Sequence, residues 1–305
     1  MIKITEVATR DGFQSVNEWI PTEVKKEIIN ALIACGITRL DVTSFVHPKF
    51  IPQMKDADEI FMHFKETAPA NVDGLVLVPN LYGAKRALAL GAKHIAWVCS
   101  ATDRHNLENT KRTVDQTLEE MKELISIKGD AKILFGQACS FVCPFTGAVD
   151  PKQAVSILAK ALELGADEIS VCDTTGTANP AMIRALLLEC KRALPGVPLP
   201  SLHLHDTYGM GLANVLAALE LGVETFDASC GGIGGCPFTP GATGNIATED
   251  MVGMLEDMGI ETGINLDQLL ETSMMIREKI SGCVAASHRG FVAAQRRSLG
   301  LQVFL

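Results

Sequence analysis

Glu163-Leu164-Gly165-Ala166-Asp167-Glu168-Ile169-Ser170-Val171 decides the fold, because its plan recurs along the chain. A helical pattern ends on a glycine, three residues follow, and an apolar strand begins. The same plan is read at Ala34-Cys35-Gly36 before Leu40-Asp41-Val42, at Ala89-Leu90-Gly91 before Ile95-Ala96-Trp97-Val98, and at Glu220-Leu221-Gly222 before Phe226-Asp227-Ala228. The glycine is expected just past the helix end, in the left-handed conformation that lets the chain turn back to a sheet. Each interval leaves room for one more strand–helix unit, with strands at Ile2–Thr9, Asp73–Val78, Lys132–Ser140 and Pro200–His205. Apolar residues at three- and four-residue spacing predict helices over Thr22–Ala34, Asp56–Lys65, Ala84–Leu90, Asn109–Ile127, Pro151–Leu164, Pro180–Leu194, Gly211–Leu221 and Thr248–Met258. Eight such units in sequence predict an α/β chain closed into a (β/α)8 TIM barrel. The barrel is expected over about residues 1–262 and a C-terminal helical extension over about 263–305, with helical patterns at Leu266–Ile280 and Gly290–Leu299, all in one domain, 1–305. No Gly-x-Gly-x-x-Gly follows the first strand, so a dinucleotide-binding sheet lacks its usual support.

Composition narrows the partners. The 305 residues are 47% hydrophobic, enough for one large core. A net charge of −9 without any Lys/Arg block argues against nucleic acid and anionic membranes as main partners. No apolar stretch is long and uncharged enough to span a bilayer. Nine cysteines without a secretory pattern point to a reducing, cytoplasmic setting.

Barrel active sites lie at the C-terminal ends of the strands, and here polar residues collect at those ends. The first strand runs into Thr9-Arg10-Asp11-Gly12, the seventh carries His203 and His205, and the eighth opens a glycine-rich loop from Gly234 to Asn245 that holds Cys236. Side chains at i and i+2 of a strand share a face, so His203 and His205 form half of a divalent-metal site. They could also simply hydrogen-bond in a polar barrel mouth. Asp11 adds an anionic oxygen and Asn245 a neutral one, a set suited to Mg²⁺ or Mn²⁺ rather than a closed structural zinc site. Arg10 is expected to stabilise a developing oxyanion, its guanidinium fixed by Asp41 or a neighbour. Cys236 lies in a loop of glycines and prolines that can close over a substrate. Cys35, Cys99, Cys172, Cys190 and Cys230 read as small buried hydrophobes. Cys139-x3-Cys143 has no second half that would make it a zinc site.

The chain resembles the 3-hydroxy-3-methylglutaryl-CoA lyase family, within the wider group of barrel metal-dependent lyases and Claisen-type synthases. The likeness is carried by Arg10-Asp11-Gly12-Phe13-Gln14, Thr43-Ser44-Phe45 through Gln53-Met54, Val78-Pro79-Asn80-Leu81, Cys143-Pro144-Phe145, Asp173-Thr174, His203-Leu204-His205-Asp206-Thr207-Tyr208-Gly209 and the Cys236-to-Asn245 loop. The loop is specific to the lyase branch. The resemblance implies Asp11, His203, His205 and Asn245 as metal ligands, Arg10 as the catalytic arginine, Cys236 as the loop thiol and Asp173 as a further active-site carboxylate. Gln14, Ser44, Asn80, Ser140 and Thr175, on or beside the strand ends, are the expected substrate contacts. Asp41 stands where the family has a longer glutamate. Val16 and Asn17 replace a Glu–Lys pair, Thr146 replaces an acid, and Cys172-Asp173-Thr174-Thr175-Gly176 replaces Gly-Asp-Thr-Ile-Gly. The implied activity is metal-dependent cleavage of 3-hydroxy-3-methylglutaryl-CoA to acetyl-CoA and acetoacetate, with Asp11 or His203 as the base. The alternatives are a lyase for a related hydroxyacyl-CoA or a condensing synthase. An acyl-CoA partner and a homo-oligomer, dimer or higher, are expected.

Overall fold

The computed structural model describes residues 1–234, 244–280 and 286–301. Gly165 ends helix α6 (Pro151–Leu164) with φ +107°, and Gly36, Gly91 and Gly222 take positive φ after their own helices. A side chain would be strained in that conformation, so glycine marks each return to the sheet. Eight parallel strands follow from this plan: β1 (Lys3–Glu6), β2 (Arg39–Ser44), β3 (Asp73–Val78), β4 (His94–Ser100), β5 (Lys132–Ala138), β6 (Glu168–Asp173), β7 (Ser201–Leu204) and β8 (Thr225–Ala228). They close in the order β1-β8-β7-β6-β5-β4-β3-β2. Around them lie α1 (Thr22–Ala34), α2 (Ala57–Thr67), α3 (Leu81–Ala89), α4 (Asp103–Thr110), α5 (Val114–Ile127), α6, α7 (Pro180–Ala193), α8 (Gly211–Leu219) and α9 (Thr248–Asp257). Helices α10 (Leu266–Lys279) and α11 (His288–Ser298) follow.

Two segments differ from the sequence reading. The helix expected over Asn109–Ile127 is two helices. Lys111 adopts the left-handed region at φ +60° and ends α4, and a capping box between Thr113 and Gln116 starts α5. The first strand stops at Glu6 rather than running to Thr9, for a reason that belongs to the site.

The main core lies between barrel and helices, around fully buried residues such as Trp97, Phe135, Phe226, Ile28 and Leu32. A second, smaller core fills the barrel: Leu75, Ala96 and Leu134, with Leu77 against them. Strand alternation then puts Asp73, His94 and Glu168, two residues before or at the same phase as these, on the inner face too. They meet Arg39 at the N-terminal end of the barrel. Arg39 Nη2 donates to Glu168 Oε2 at 2.7 Å, and His94 Nδ1 lies 2.7 Å from Asp73 Oδ2. This ionic layer is a floor, and the layer of Leu75, Ala96 and Leu134 above it is buried. The other end of the barrel is left as the mouth.

Candidate active site

Val7 leaves the strand with ψ +5° and turns the chain into a wide coil over Ala8–Gly12. The Val7 carbonyl accepts the N–H groups of Arg10, Asp11 and Gly12 at 3.2, 2.8 and 3.2 Å. The coil is held from below by Glu6, which is fully buried. Its Oε1 accepts the N–H of Ala8 at 2.8 Å and of Cys230 at 2.9 Å, and its Oε2 accepts the Thr248 hydroxyl at 2.7 Å. One carboxylate thus ties the Arg10–Asp11 coil, the turn after β8 and the start of α9 together. Burial pushes its pKa up to about 7, against the hydrogen bonds that lower it. Gly12 is required here because a Cβ would sit 2.6 Å from Ile233 Cγ1.

The coil places Arg10 and Asp11 in the mouth. Arg10 Nε donates to Asp41 Oδ2 at 2.6 Å, and its Nη1 pairs with Asp11 Oδ1. Asp41, though one methylene shorter than the family's glutamate, therefore makes the brace. Asp41 is 2% exposed, and its Oδ1 has no partner among the described residues. Burial pushes its pKa up to about 6 while Arg10 holds it down. Burial would raise the Asp11 pKa, yet Arg10, His203 and His205 hold it well below the ordinary carboxylate range. The arginine stays charged, with Asp41 and Asp11 outweighing its own desolvation. Gln14 Nε2 donates to Asp11 Oδ1 at 3.1 Å, which brings that residue beside the group.

His203 on β7 and His205 just beyond it present their Nε2 atoms to each other at 3.2 Å. Both lie close to Asp11 Oδ2, at 3.9 and 3.8 Å. Metal bonds of about 2.0–2.2 Å place neighbouring donors about 3 Å apart. Three buried donors converging at these spacings fit a hard or borderline divalent ion after a small contraction. Burial and the neighbouring His203 lower the His205 pKa to about 4, so it offers a neutral nitrogen at pH 7. For His203, burial is outweighed by the bond to Asp227 and the charge of Asp11, and the net shift is upward. Asn245 is also in place, but with its amide nitrogen forward. Nδ2 donates to Asp11 Oδ2 at 2.8 Å and to the Ile233 carbonyl at 3.1 Å. Ligation through its oxygen requires the amide to turn over.

Several expected residues do other work. Asp173 is fully buried and accepts the N–H groups of Gly176, Thr177 and Ala178, so its carboxylate shapes the loop after β6. Thr175 donates to Asp173, and Ser140 donates to Gln137, both inside the scaffold. Asn80 caps α3 by accepting the Gly83 N–H, and the buried Ser44 hydroxyl accepts the Val46 N–H. The structure brings none of these five to the metal group, because their hydrogen bonds are used locally. Cys172 is corrected as well: it is half-exposed at the mouth rather than buried in the core. Cys236 lies outside the described residues. It follows Gly234 by two positions, and a Cβ on Gly234 would meet Asn245 Nδ2 at 2.3 Å.

Asp227 was missed by the sequence reading. Its Oδ2 lies 3.1 Å from His203 Nδ1, so it fixes which ring nitrogen faces Asp11 and His205. The available signal was a carboxylate between Phe226 and Ala228, in the middle of an apolar strand. Glu6, likewise acidic within β1, was the other such signal.

With this geometry in hand, comparison with known proteins decides the family. The HMGL-like family model matches residues 1–276. The chain belongs to the HMGL-like family. Among HMGL-like relatives, the mitochondrial hydroxymethylglutaryl-CoA lyase of Bos taurus is 37% identical over 282 residues, covering 92% of this chain and 86% of that one. The crystal structure of the Bacillus subtilis HMG-CoA lyase superposes with a TM-score of 0.90 at 37% identity, covering 95% of this chain and 97% of that one. An HMG-CoA lyase from Acinetobacter baumannii, solved with coenzyme A and 3-methylmalate, gives 0.89 at 37% identity over 100% of this chain and 97% of that one. HMGL-like relatives of this kind are carbon–carbon lyases, and so is this chain.

Proposed function

We propose that this chain cleaves 3-hydroxy-3-methylglutaryl-CoA to acetyl-CoA and acetoacetate. The observation that carries the reading is the convergence of Asp11 Oδ2 with the Nε2 atoms of His203 and His205 beside Arg10. A divalent ion, Mg²⁺ or Mn²⁺, held by Asp11, His203, His205 and a turned-over Asn245 would polarise and acidify a hydroxyl on the substrate.

The protein's own part follows from the distances. Both nitrogens of His203 are committed, one to Asp227 and one toward His205 and Asp11, so His203 is a ligand and not the base. The hydroxyl proton goes to a carboxylate. Asp41, with an unpartnered Oδ1 and a pKa near 6, is better matched to that transfer near neutral pH than Asp11. Loss of that proton lets the C2–C3 bond break to a ketone and a thioester enolate. Arg10, permanently charged and braced by Asp41, neutralises the enolate oxygen. Cys236 then supplies the proton to the enolate carbon.

An acetyl-CoA release assay on the purified chain, with and without Mg²⁺ or Mn²⁺, tests the reading. Release that needs the ion and collapses in Asp11→Ala supports it; no release from any 3-hydroxyacyl-CoA ends it. Cys236→Ala separates lyase from synthase chemistry, since the condensing enzymes lack this thiol. Cytoplasmic location and a homo-oligomeric state belong to the same proposal, resting on composition and family. Among the described residues no helix is long and apolar enough to cross a membrane.

A further inference from the structure

The mouth of the barrel has two unlike halves. On β1, β2, β7 and β8 every group facing it is charged or polar: Arg10, Asp11, Asp41, His203, His205 and Asp227. On the opposite strands the inner face continues the apolar phase set by Leu75, Ala96 and Leu134. Two residues further along each strand, the same face reaches Leu77 on β3 and Val98 on β4, and four further Ala138 on β5; Cys172 on β6 is in phase with Glu168. All four are half-exposed, while their strand neighbours Val76, Val78, Trp97, Cys99, Gln137, Val171 and Asp173 are buried against the helices. Leu75, Ala96 and Leu134, beneath them on the same inner face, are buried, so this exposure is to the mouth. Cys172 stands at the seam of the two halves, paired in register with His203.

We propose that Leu77, Val98, Ala138 and Cys172 form the surface that selects the substituent on the hydroxyl-bearing carbon, and that Cys172 sets its size. The inference rests on the lyase reading above and specifies the acyl group that site accepts. That carbon carries a hydroxyl, a carboxymethyl arm, a thioester arm and one alkyl branch. The first three present oxygen to the charged half, so the branch is left to face the apolar arc. The Cys172 thiol suits this use. A thiol on an apolar strand face packs as a small apolar group. Its backbone is held independently of its side chain, since the Ser140 N–H donates to the Cys172 carbonyl at 3.0 Å.

The test is a ratio. Acetyl-CoA release is measured from 3-hydroxyglutaryl-CoA and its 3-methyl and 3-ethyl derivatives, using the wild type, Cys172→Ala and Cys172→Leu. One methylene in an apolar pocket discriminates by about tenfold or more. Cys172→Ala is expected to raise the ethyl-to-methyl ratio of kcat/KM about tenfold. Cys172→Leu is expected to lower that ratio and to favour the unsubstituted thioester by a similar factor. Ratios within one preparation cancel the fraction of folded enzyme, so a poorly folding variant still gives an answer. Ratios that agree within about twofold across the three proteins overturn the proposal and leave the lyase reading standing. No release by the wild type from any of the thioesters overturns both.

Discussion

Asp227→Ala removes the acceptor that His203 Nδ1 has among the described residues, at 3.1 Å, in a histidine that is 6% exposed. Two consequences follow from that position. The imidazole loses the bond that selects its tautomer, so the proton can move to Nε2, the nitrogen that must be bare to bind an ion. The ring also loses the contact that aims it at Asp11 and His205. Loss of an outer partner of a metal-binding histidine weakens ion binding by about 10- to 100-fold, or about 1.4–2.7 kcal/mol. Mn²⁺ titration followed by electron paramagnetic resonance measures this directly, without turnover. Asp227→Asn keeps an oxygen acceptor but not the charge, and should fall between wild type and Asp227→Ala. Asp130→Ala, at a fully exposed site paired with Lys93, is the control and should bind as wild type. If Asp227→Ala binds Mn²⁺ within twofold of wild type, the orienting role is wrong.

Other outcomes are expected from the same geometry. Glu6 has a folded-state pKa of about 7 against an ordinary glutamate value of 4.5, so the folded chain holds the extra proton between those values. Stability is then fully present below about pH 4.5 and is lost as pH rises to 7, by about 3 kcal/mol at most. Glu6→Gln should flatten that slope in urea melts at pH 5 and 7.5, and parallel slopes would count against it. Glu168→Gln removes the charge that Arg39 meets at 2.7 Å in the barrel floor. It should cost about 1–2 kcal/mol and a few degrees in Tm while kcat stays unchanged; a large fall in kcat would mean floor and mouth are coupled. Asp41→Ala leaves Arg10 Nε without its buried partner and should reduce kcat by about 10²-fold or more, whereas Asp41→Glu should keep part of the activity. Equal losses in the two variants would show that the brace does not matter. Chelation should abolish acetyl-CoA release, with recovery on adding Mg²⁺ or Mn²⁺; full activity in chelator would remove the ion from the reaction.

The barrel was legible because its punctuation is local. Gly165 and its three counterparts each sit where only a left-handed residue ends the helix, so four letters disclosed the repeat. The ligand trio was legible for a similar reason, since His203 and His205 share a strand face whatever the rest of the fold does. The end of β1 was not legible. Nothing in Val7-Ala8-Thr9 forbids a strand, and the break depends on Glu6 finding Cys230 and Thr248, over two hundred residues away. The same limit hid Asp227, whose partner lies on the neighbouring strand. Asp173, Ser140 and Thr175 were placed at the correct end of the barrel, but position alone does not reveal that a loop has already used their hydrogen bonds. Cys172 was read as core because a thiol's residue type does not tell which face of its strand looks into the mouth.

Among the described residues, the salt-bridged base formed by Arg39, Asp73, His94 and Glu168 leaves the mouth as the open end of the barrel. Whatever is seated deepest must wait until the molecule above it has gone. A reaction that splits one guest into two will therefore discharge its fragments in a fixed queue, and the last to leave sets how soon the next can enter.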